Sequence, residues 1–331
     1  MAYSLLNQNI ELYNFPQASN DIYLASVTEK TKRLYLLYLK KWITFCTEKG
    51  WDYKSPNVKT VILFFTKLFQ AGASYSAINI ARSSLSFFAP NVDNFKLGAH
   101  PVVCRFLQGV RNLRPKLSRY VATWDTDMVL EYLFELWPHS SLSLYLLSKK
   151  LIVLFLMVTS QRIQTMQVLK VSNIFWINEN ELIFMLDEKL KHIRNKELGF
   201  LSVNAFVAQP RLCIVKCLKD YLSVTKDIRK TDYLFLTTRP PFRQAKHDTL
   251  ANWVTSVFKE SGVDVQSFKP HSVRSATTSK YLRLNVPIDA ILSKAQWAAE
   301  STFRRFYDKP ILPRSDISQE LINNFLKNNR K

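Results

Sequence analysis

The sequence predicts a mainly α-helical protein with a small β-sheet, an all-helical N-terminal domain followed by a larger α+β domain. Three observations lead there. At 331 residues the chain is longer than one hydrophobic core usually organises, so two domains are expected. Apolar residues recur at helical spacing along most of the chain, and strand-like runs occur only between 175 and 203. A basic stretch with a proline, Arg111-Asn112-Leu113-Arg114-Pro115-Lys116-Leu117-Ser118-Arg119, falls where a linker belongs.

Residues 1–19 lack periodicity and read as a flexible arm, and residues 20–112 form the helical domain. Ser26-Val27-Thr28-Glu29 has the form of a capping box, and Leu34, Leu37, Leu39, Trp42, Phe45 and Cys46 carry the helix it opens to about Lys49, where Gly50 stops it. Ser55-Pro56 precedes a second helix through Val58, Val61, Ile62, Phe65, Leu68 and Phe69. A third spans about 74–88 through Ile78, Ala81 and Leu85. After a loop over Ala89–Ala99, a fourth carries Val103, Phe106, Leu107 and Val110. The linker is placed at 113–119. Its cations suit either a strap along a phosphate backbone or a solvated connection.

Residues 120–331 form the second domain. Helices are expected at about 125–137 and 142–158, with a short one from Arg162. Phe175–Ile177, Leu182–Leu186 and about 198–203 read as short strands, with the charged segment Asp187–Glu197 between the last two. Helices resume near 211–224, 247–261, 271–284, 287–294 and 300–306. A terminal amphipathic helix over 317–326, capped by Asp316, groups Ile317, Leu321, Ile322, Phe325 and Leu326.

The formal charge is +20, and both halves share it. Residues before Ser118 carry 15 basic and 6 acidic side chains; the remainder carry 31 and 20. A polyanion gripped by two lobes suits this distribution better than a basic tail on a neutral body. With only 6 glycines and no glycine-rich phosphate loop, no nucleotide cofactor is expected. Cys46, Cys104, Cys213 and Cys217 lack zinc-ligand spacing and read as buried thiols in a reducing compartment. There is no signal-peptide pattern, and the apolar run Leu151–Val158 is too short to span a bilayer. An intracellular protein with no membrane association is expected.

Chemistry concentrates in three separated segments: Ser160-Gln161-Arg162, His271-Ser272-Val273-Arg274, and Trp297 through Tyr307. On a helix, His271 and Arg274 share one face. The ordered set Arg162, His271-x-x-Arg274, Trp297, Tyr307 resembles the tyrosine recombinase (phage integrase) family over about residues 20–310. Thr159-Ser160-Gln161-Arg162 with Gln164-Thr165, Arg119-Tyr120 with Thr123-Trp124-Asp125, and Ser301-Thr302-Phe303 before Phe306-Tyr307 are similar to its eukaryotic mobile-element branch, the Crypton and DIRS-type elements.

That resemblance implies a helical core-binding domain followed by a catalytic domain, closing as a C-shaped clamp on double-stranded DNA. It implies cleavage and religation of specific sites through a 3′-phosphotyrosyl bond made by Tyr307, for integration or excision of a mobile element. Two arginines suit a phosphorane-like transition state because their planar forks match its non-bridging oxygens, and they make a metal unnecessary. Arg162 and Arg274 take that role; His271 moves protons, and Trp297 donates its single N–H. A hairpin lysine protonates the leaving 5′-oxygen; Lys189, Lys191 and Lys196 are candidates, with Lys191 favoured for its place at the turn. Arg111, Arg114, Lys116, Arg119 and Lys189 are expected to contact DNA, with neither cofactor nor metal. A homo-tetramer on DNA, dimeric or monomeric when free, is implied, with the terminal helix docking either on a neighbour or on its own chain. A nuclear or otherwise intracellular location follows.

Two departures from the family pattern stand out. Thr165 occupies a position that is often acidic, and the interval from Trp297 to Tyr307 is one residue longer than in typical bacterial members. Two other readings are open. A type IB topoisomerase shares the fold and the covalent tyrosine, and a domesticated protein could bind DNA without cutting it.

Overall fold

The computed structural model describes residues 2, 5–6, 16–115, 120–187, 199–297 and 299–312. The chain divides into two compact units, residues 1–117 and 118–331. Lys116, Arg119, the candidate lysines Lys189, Lys191 and Lys196, and the amphipathic segment 317–326 lie outside the described residues, as does most of the N-terminal arm.

The first unit comprises α1 (Gln17–Leu24), α2 (Glu29–Lys49), α3 (Val58–Gln70), α4 (Tyr75–Phe88) and α5 (Pro101–Leu113). Its core is aromatic: Trp42 and Phe45 of α2 meet Phe64 of α3 at ring-centroid distances of 5.3 and 5.4 Å. The buried Trp42 remains satisfied because Nε1 donates to the Tyr53 carbonyl at 2.9 Å. Gly50, at φ +66°, ends α2 in the left-handed conformation that glycine adopts without a Cβ penalty.

Three local expectations need correction here. The cap of α2 is Thr28, whose side chain accepts from the Thr31 amide; Ser26 lies two residues outside the helix. The loop over 89–99 contains a two-residue hairpin, β1 (Asn91–Val92) with β2 (Phe95–Lys96). The fourth helix runs through Arg111 to Leu113, because nothing disfavours helix before Pro115 and Val110 still packs in the core. Arg111 is therefore an exposed helical residue. Arg114 belongs to this unit's packing: Nη1 donates to the Phe69 and Ala73 carbonyls at 3.2 and 2.6 Å, and the guanidinium stacks 4.0 Å over Phe69. Arg111 and Arg114 are accordingly parts of the helical unit.

The second unit is organised around α7 (Leu144–Thr159), flanked by α6 (Thr126–Glu135), α8 (Ile163–Gln167), α9 (Ile214–Thr225) and α10 (His247–Glu260). Leu151 through Met157 are all buried, so α7 is apolar all round, as a central helix requires. Its two buried lysines need partners. Lys149 pairs with Glu260 at 2.6 Å, and Lys150 donates to the Leu136 carbonyl at 2.6 Å.

An antiparallel sheet of β3 (Ile174–Asn178), β4 (Glu181–Leu186) and β5 (Gly199–Asn204) covers one side. Period-two alternation buries Leu182, Phe184 and Leu186, and Phe184 meets Phe155 of α7 at 5.6 Å. The β4–β5 connection is the segment expected to carry the lysines. The unit closes with α11 (Ser272–Arg283), α12 (Ile288–Ala295) and α13 (Glu300–Phe306). Of the four thiols, Cys46, Cys213 and Cys217 are buried, whereas Cys104 is exposed because it lies on the outer side of α5.

Candidate active site

The site begins where α7 ends. Ser160 takes a left-handed conformation, φ +51°, that turns the chain sharply out of the helix. Its carbonyl accepts from Arg274 Nη1 at 2.7 Å, and its hydroxyl meets Thr277 Oγ1 at 3.1 Å. Gln161 is buried and donates from Nε2 to the Lys294 carbonyl at 3.2 Å. Arg162 then caps α8, with Thr165 returning its amide to the Arg162 carbonyl at 2.9 Å. Thr165 is buried, and its hydroxyl oxygen has no partner among the described residues.

Arg274 is about 1% exposed. Besides Ser160, it donates through Nη2 to the Ala295 carbonyl at 2.5 Å, and its guanidinium lies 4.3 Å from the Trp297 ring and 5.5 Å from that of Tyr307. Burial, and then the charge of Arg162, pull its pKa down to about 9. It remains a cation at neutral pH, held beside another cation in a poorly solvated place. Such an arrangement gains from an anion.

His271 precedes the first turn of α11, where Trp124 Nε1 donates to the Ser272 hydroxyl at 2.9 Å. Nε2 of His271 lies 3.3 Å from the Tyr307 hydroxyl. Trp297 follows a left-handed turn at Gln296, φ +53°. Its ring packs on Tyr307 at 4.5 Å and on Phe303 at 5.3 Å, joining a small cluster with Ile291 and Ala295. Tyr307 itself ends α13, its amide donating to the Phe303 carbonyl at 2.8 Å.

The structure therefore gathers Arg162, His271, Arg274, Trp297 and Tyr307, five residues spread over 146 positions of sequence. Arg162, His271 and Arg274 line one cavity of about 270 Å³. Among the described residues, Arg162 Nη1, Arg274 Nε and Trp297 Nε1 are buried donors without an acceptor. Each such group costs roughly 1–3 kcal/mol, and the two arginines among them line this cavity, where an oxyanion would supply acceptors. A larger cavity of about 520 Å³ is lined by Asp127, Glu131, Glu135 and Glu260; its charge has the wrong sign for phosphate.

Gln161 and Gln164 of the motif strings also line the cavity, and sequence reasoning missed two further residues of its wall, His247 and Lys269. Lys269 had a signal, since only Pro270 separates it from His271. His247, the first residue of α10, lies in no motif and is brought in by tertiary packing alone.

Residues 135–310, more than half of the chain, match the Phage integrase family, and the chain belongs to that family. Solved structures share the fold at low identity. The XerH site-specific recombinase bound to palindromic difH substrate, a post-cleavage complex, is 14% identical with a TM-score of 0.57, over 82% of this chain and 74% of that one. The Tn1549 transposon integrase in complex with transposon right end DNA gives 11% and 0.55, over 100% and 99%. A lambda integrase tetramer bound to a Holliday junction gives 16% and 0.51, over 93% and 86%. No curated protein matches the chain by sequence.

Proposed function

We propose that this chain is a site-specific DNA recombinase that cuts and rejoins strands through a covalent bond to Tyr307. The observation that carries the reading is a cavity lined by the Arg162 and Arg274 guanidiniums and the His271 imidazole, which itself meets the Tyr307 phenol. Arg162 and Arg274 donate to the non-bridging oxygens of one phosphodiester, favouring the doubly charged transition state over the ground state. The Tyr307 oxygen attacks phosphorus while His271 Nε2 accepts its proton; Trp297 donates its indole N–H to the same phosphate. The bond from phosphorus to the 5′-oxygen breaks, and a lysine of the β4–β5 segment, Lys191 before Lys189 or Lys196, protonates the leaving oxygen. The phosphotyrosyl ester keeps the bond energy. A 5′-hydroxyl of a second strand then reverses the step without ATP.

The partner is double-stranded DNA, to which the shared charge of both units and the cations Arg111, Lys116, Arg119 and Lys189 contribute. By analogy with the lambda integrase tetramer, the active assembly is a homo-tetramer on two duplexes. The eukaryotic mobile-element strings favour integration or excision of a Crypton or DIRS-type element in a nucleus.

The test is covalent trapping on nicked suicide duplexes from the ends of the element that encodes the chain, comparing wild type with Tyr307→Phe. An SDS-resistant adduct that disappears in the variant is expected. An adduct that survives the substitution overturns the assignment of Tyr307. Relaxation of supercoiled DNA without strand exchange selects the topoisomerase reading, and binding without any adduct selects a non-catalytic DNA-binding protein.

A further inference from the structure

Two serines of α11, Ser275 and Ser279, sit one turn apart and are both buried. Both hydroxyls donate to one acceptor, the main-chain carbonyl of Tyr307, at 3.1 and 2.7 Å. The Ser279 oxygen also accepts from the Lys309 amide at 3.0 Å, so this residue ties the backbone on both sides of Asp308. Hydroxyl residues inside helices usually bond back to a carbonyl of the preceding turn. Thr277 and Thr278 of α11 do so, donating to the Val273 and Arg274 carbonyls at 3.0 and 2.6 Å. Ser275 and Ser279 instead reach across to another segment.

Their acceptor needs them. α13 ends at Phe306, so the Tyr307 carbonyl is one of the orphan acceptors of a helix terminus. Beyond it the chain is held at each step by groups of its own unit. The Asp308 amide donates to the Phe303 carbonyl at 3.0 Å, Arg283 Nη2 to the Lys309 carbonyl at 3.0 Å, and Thr123 pairs its backbone with Pro310 and Leu312 at 2.7 Å. The backbone that carries the phenol is thus held on both sides of Tyr307.

We propose that Ser275 and Ser279 are positioning residues for strand cleavage, a hydroxyl pair that fixes the Tyr307 backbone so that its phenol oxygen meets phosphorus in line. The proposal rests on Tyr307 being the nucleophile. Neither serine touches DNA in this scheme. The phenol oxygen lies at the far end of a long side chain, so a small backbone rotation becomes a large displacement there. A displacement of about 1 Å can cost roughly 100-fold in rate. Either serine alone leaves the carbonyl one hydroxyl donor; without both it has neither.

The experiment uses the full chain with Ser275→Ala, Ser279→Ala, the double variant and the hydroxyl-retaining Ser275→Thr. Single-turnover adduct formation is followed on a pool of nicked duplexes with a randomised core, and on the same pool carrying a 5′-bridging sulfur at the nick-side scissile position. Hydrogen exchange of the Lys309 amide is measured in parallel. The saturating rate is expected to fall about 5-fold in each alanine variant and about 100-fold in the double variant, with the half-saturating DNA concentration unchanged. Ser275→Thr retains most of the rate, and Lys309 exchanges faster when Ser279 is replaced. The loss persists with the sulfur leaving group, which needs no proton donor, because the defect lies at the nucleophile.

A folded double variant that cleaves within about two-fold of wild type overturns the proposal, as does a loss confined to DNA affinity or one cured by the sulfur substrate. If the double variant does not fold, the two single variants decide by the same criteria. A wild type whose adduct survives Tyr307→Phe brings down the nucleophile assignment itself. That result is distinct from an adduct at Tyr307 that is indifferent to both serines.

Discussion

Nε2 of His271 lies 3.3 Å from the hydroxyl of Tyr307, and the two rings meet at 70°. They lie thirty-six positions apart in the sequence. At 3.3 Å the contact is slightly long for a strong hydrogen bond.

Replacing His271 with Ala is accordingly expected to slow adduct formation by roughly 10²–10⁴-fold, the range for a positioned general base. DNA affinity is expected to change little, because His271 contributes a proton acceptor more than a charge. Single-turnover trapping alongside a binding titration separates the two, and equal losses in both contradict the assignment.

For Trp297 the structure separates packing from hydrogen bonding. Trp297→Phe keeps an aromatic ring against Tyr307 and Phe303 and removes the unpartnered Nε1 donor with part of the indole's bulk. One hydrogen bond to a charged phosphate oxygen is worth about 1.5–3 kcal/mol, so the cleavage rate is expected to fall roughly 10- to 100-fold with folding intact. Trp297→Ala also opens a cavity in a buried cluster and is expected to cost about 3–5 kcal/mol of stability, readable in denaturant melts. Equal activity in Trp297→Phe and wild type leaves the indole with packing alone.

These residues were legible in the sequence because their order along the chain is itself a pattern, and the strands because β4 alternates so regularly. Ser275 and Ser279 were not legible. A hydroxyl that bonds a carbonyl 28 or 32 residues away looks, in sequence, like any serine on a helix. His247 is hidden for the same reason. The cap of α2 was misplaced by two residues because Ser26 and Thr28 are equally good acceptors, and only the direction of the chain entering the helix decides between them. Arg114 misled through composition: its charge suited a phosphate strap, yet carbonyls at the end of α3 take its donors.

His247 and Lys269 line the cavity beside Arg162 outside the proposed catalytic set, which suits contacts to neighbouring phosphates. Lys269→Ala is expected to weaken binding of duplex DNA and reduce the slope of log affinity against log salt by about one. His247→Ala is expected to weaken binding of the same duplex too, because it removes a polar group from the cavity wall. Filter binding across a salt series checks both, and an unchanged slope in Lys269→Ala removes it from the DNA contact.

Lys150 gives a pH prediction away from the site. Burial lowers its pKa to about 8, below that of an unfolded lysine, so the folded state holds its proton less tightly than the unfolded one. Between about pH 8 and pH 10.5 the unfolded chain binds more protons, and stability from this group rises with pH; below pH 8 the cost of the buried charge is felt in full. Lys150→Met removes the titrating group. Urea melts at pH 7 and pH 10 are expected to show stability rising more with pH in wild type than in the variant; parallel curves contradict this.

The unpartnered donors of Arg162, Arg274 and Trp297 make a prediction that needs no DNA sequence. An oxyanion that satisfies them binds the folded state only, so it must raise the melting temperature in proportion to RT ln(1 + [L]/Kd). Orthovanadate, which can adopt the five-coordinate geometry of a phosphoryl transition state, is expected to stabilise more than phosphate at equal concentration. At 100 times its Kd the gain is about 2.7 kcal/mol, a shift of several degrees for a chain of this size. General salt effects also stabilise proteins, so the decisive quantity is the difference between wild type and Arg162→Gln. That substitution removes a guanidinium from the cavity while leaving the Arg274 carbonyl contacts in place. A shift that is the same in both proteins means that the anion acts elsewhere on a basic surface, and that the three donors do not form one oxyanion site.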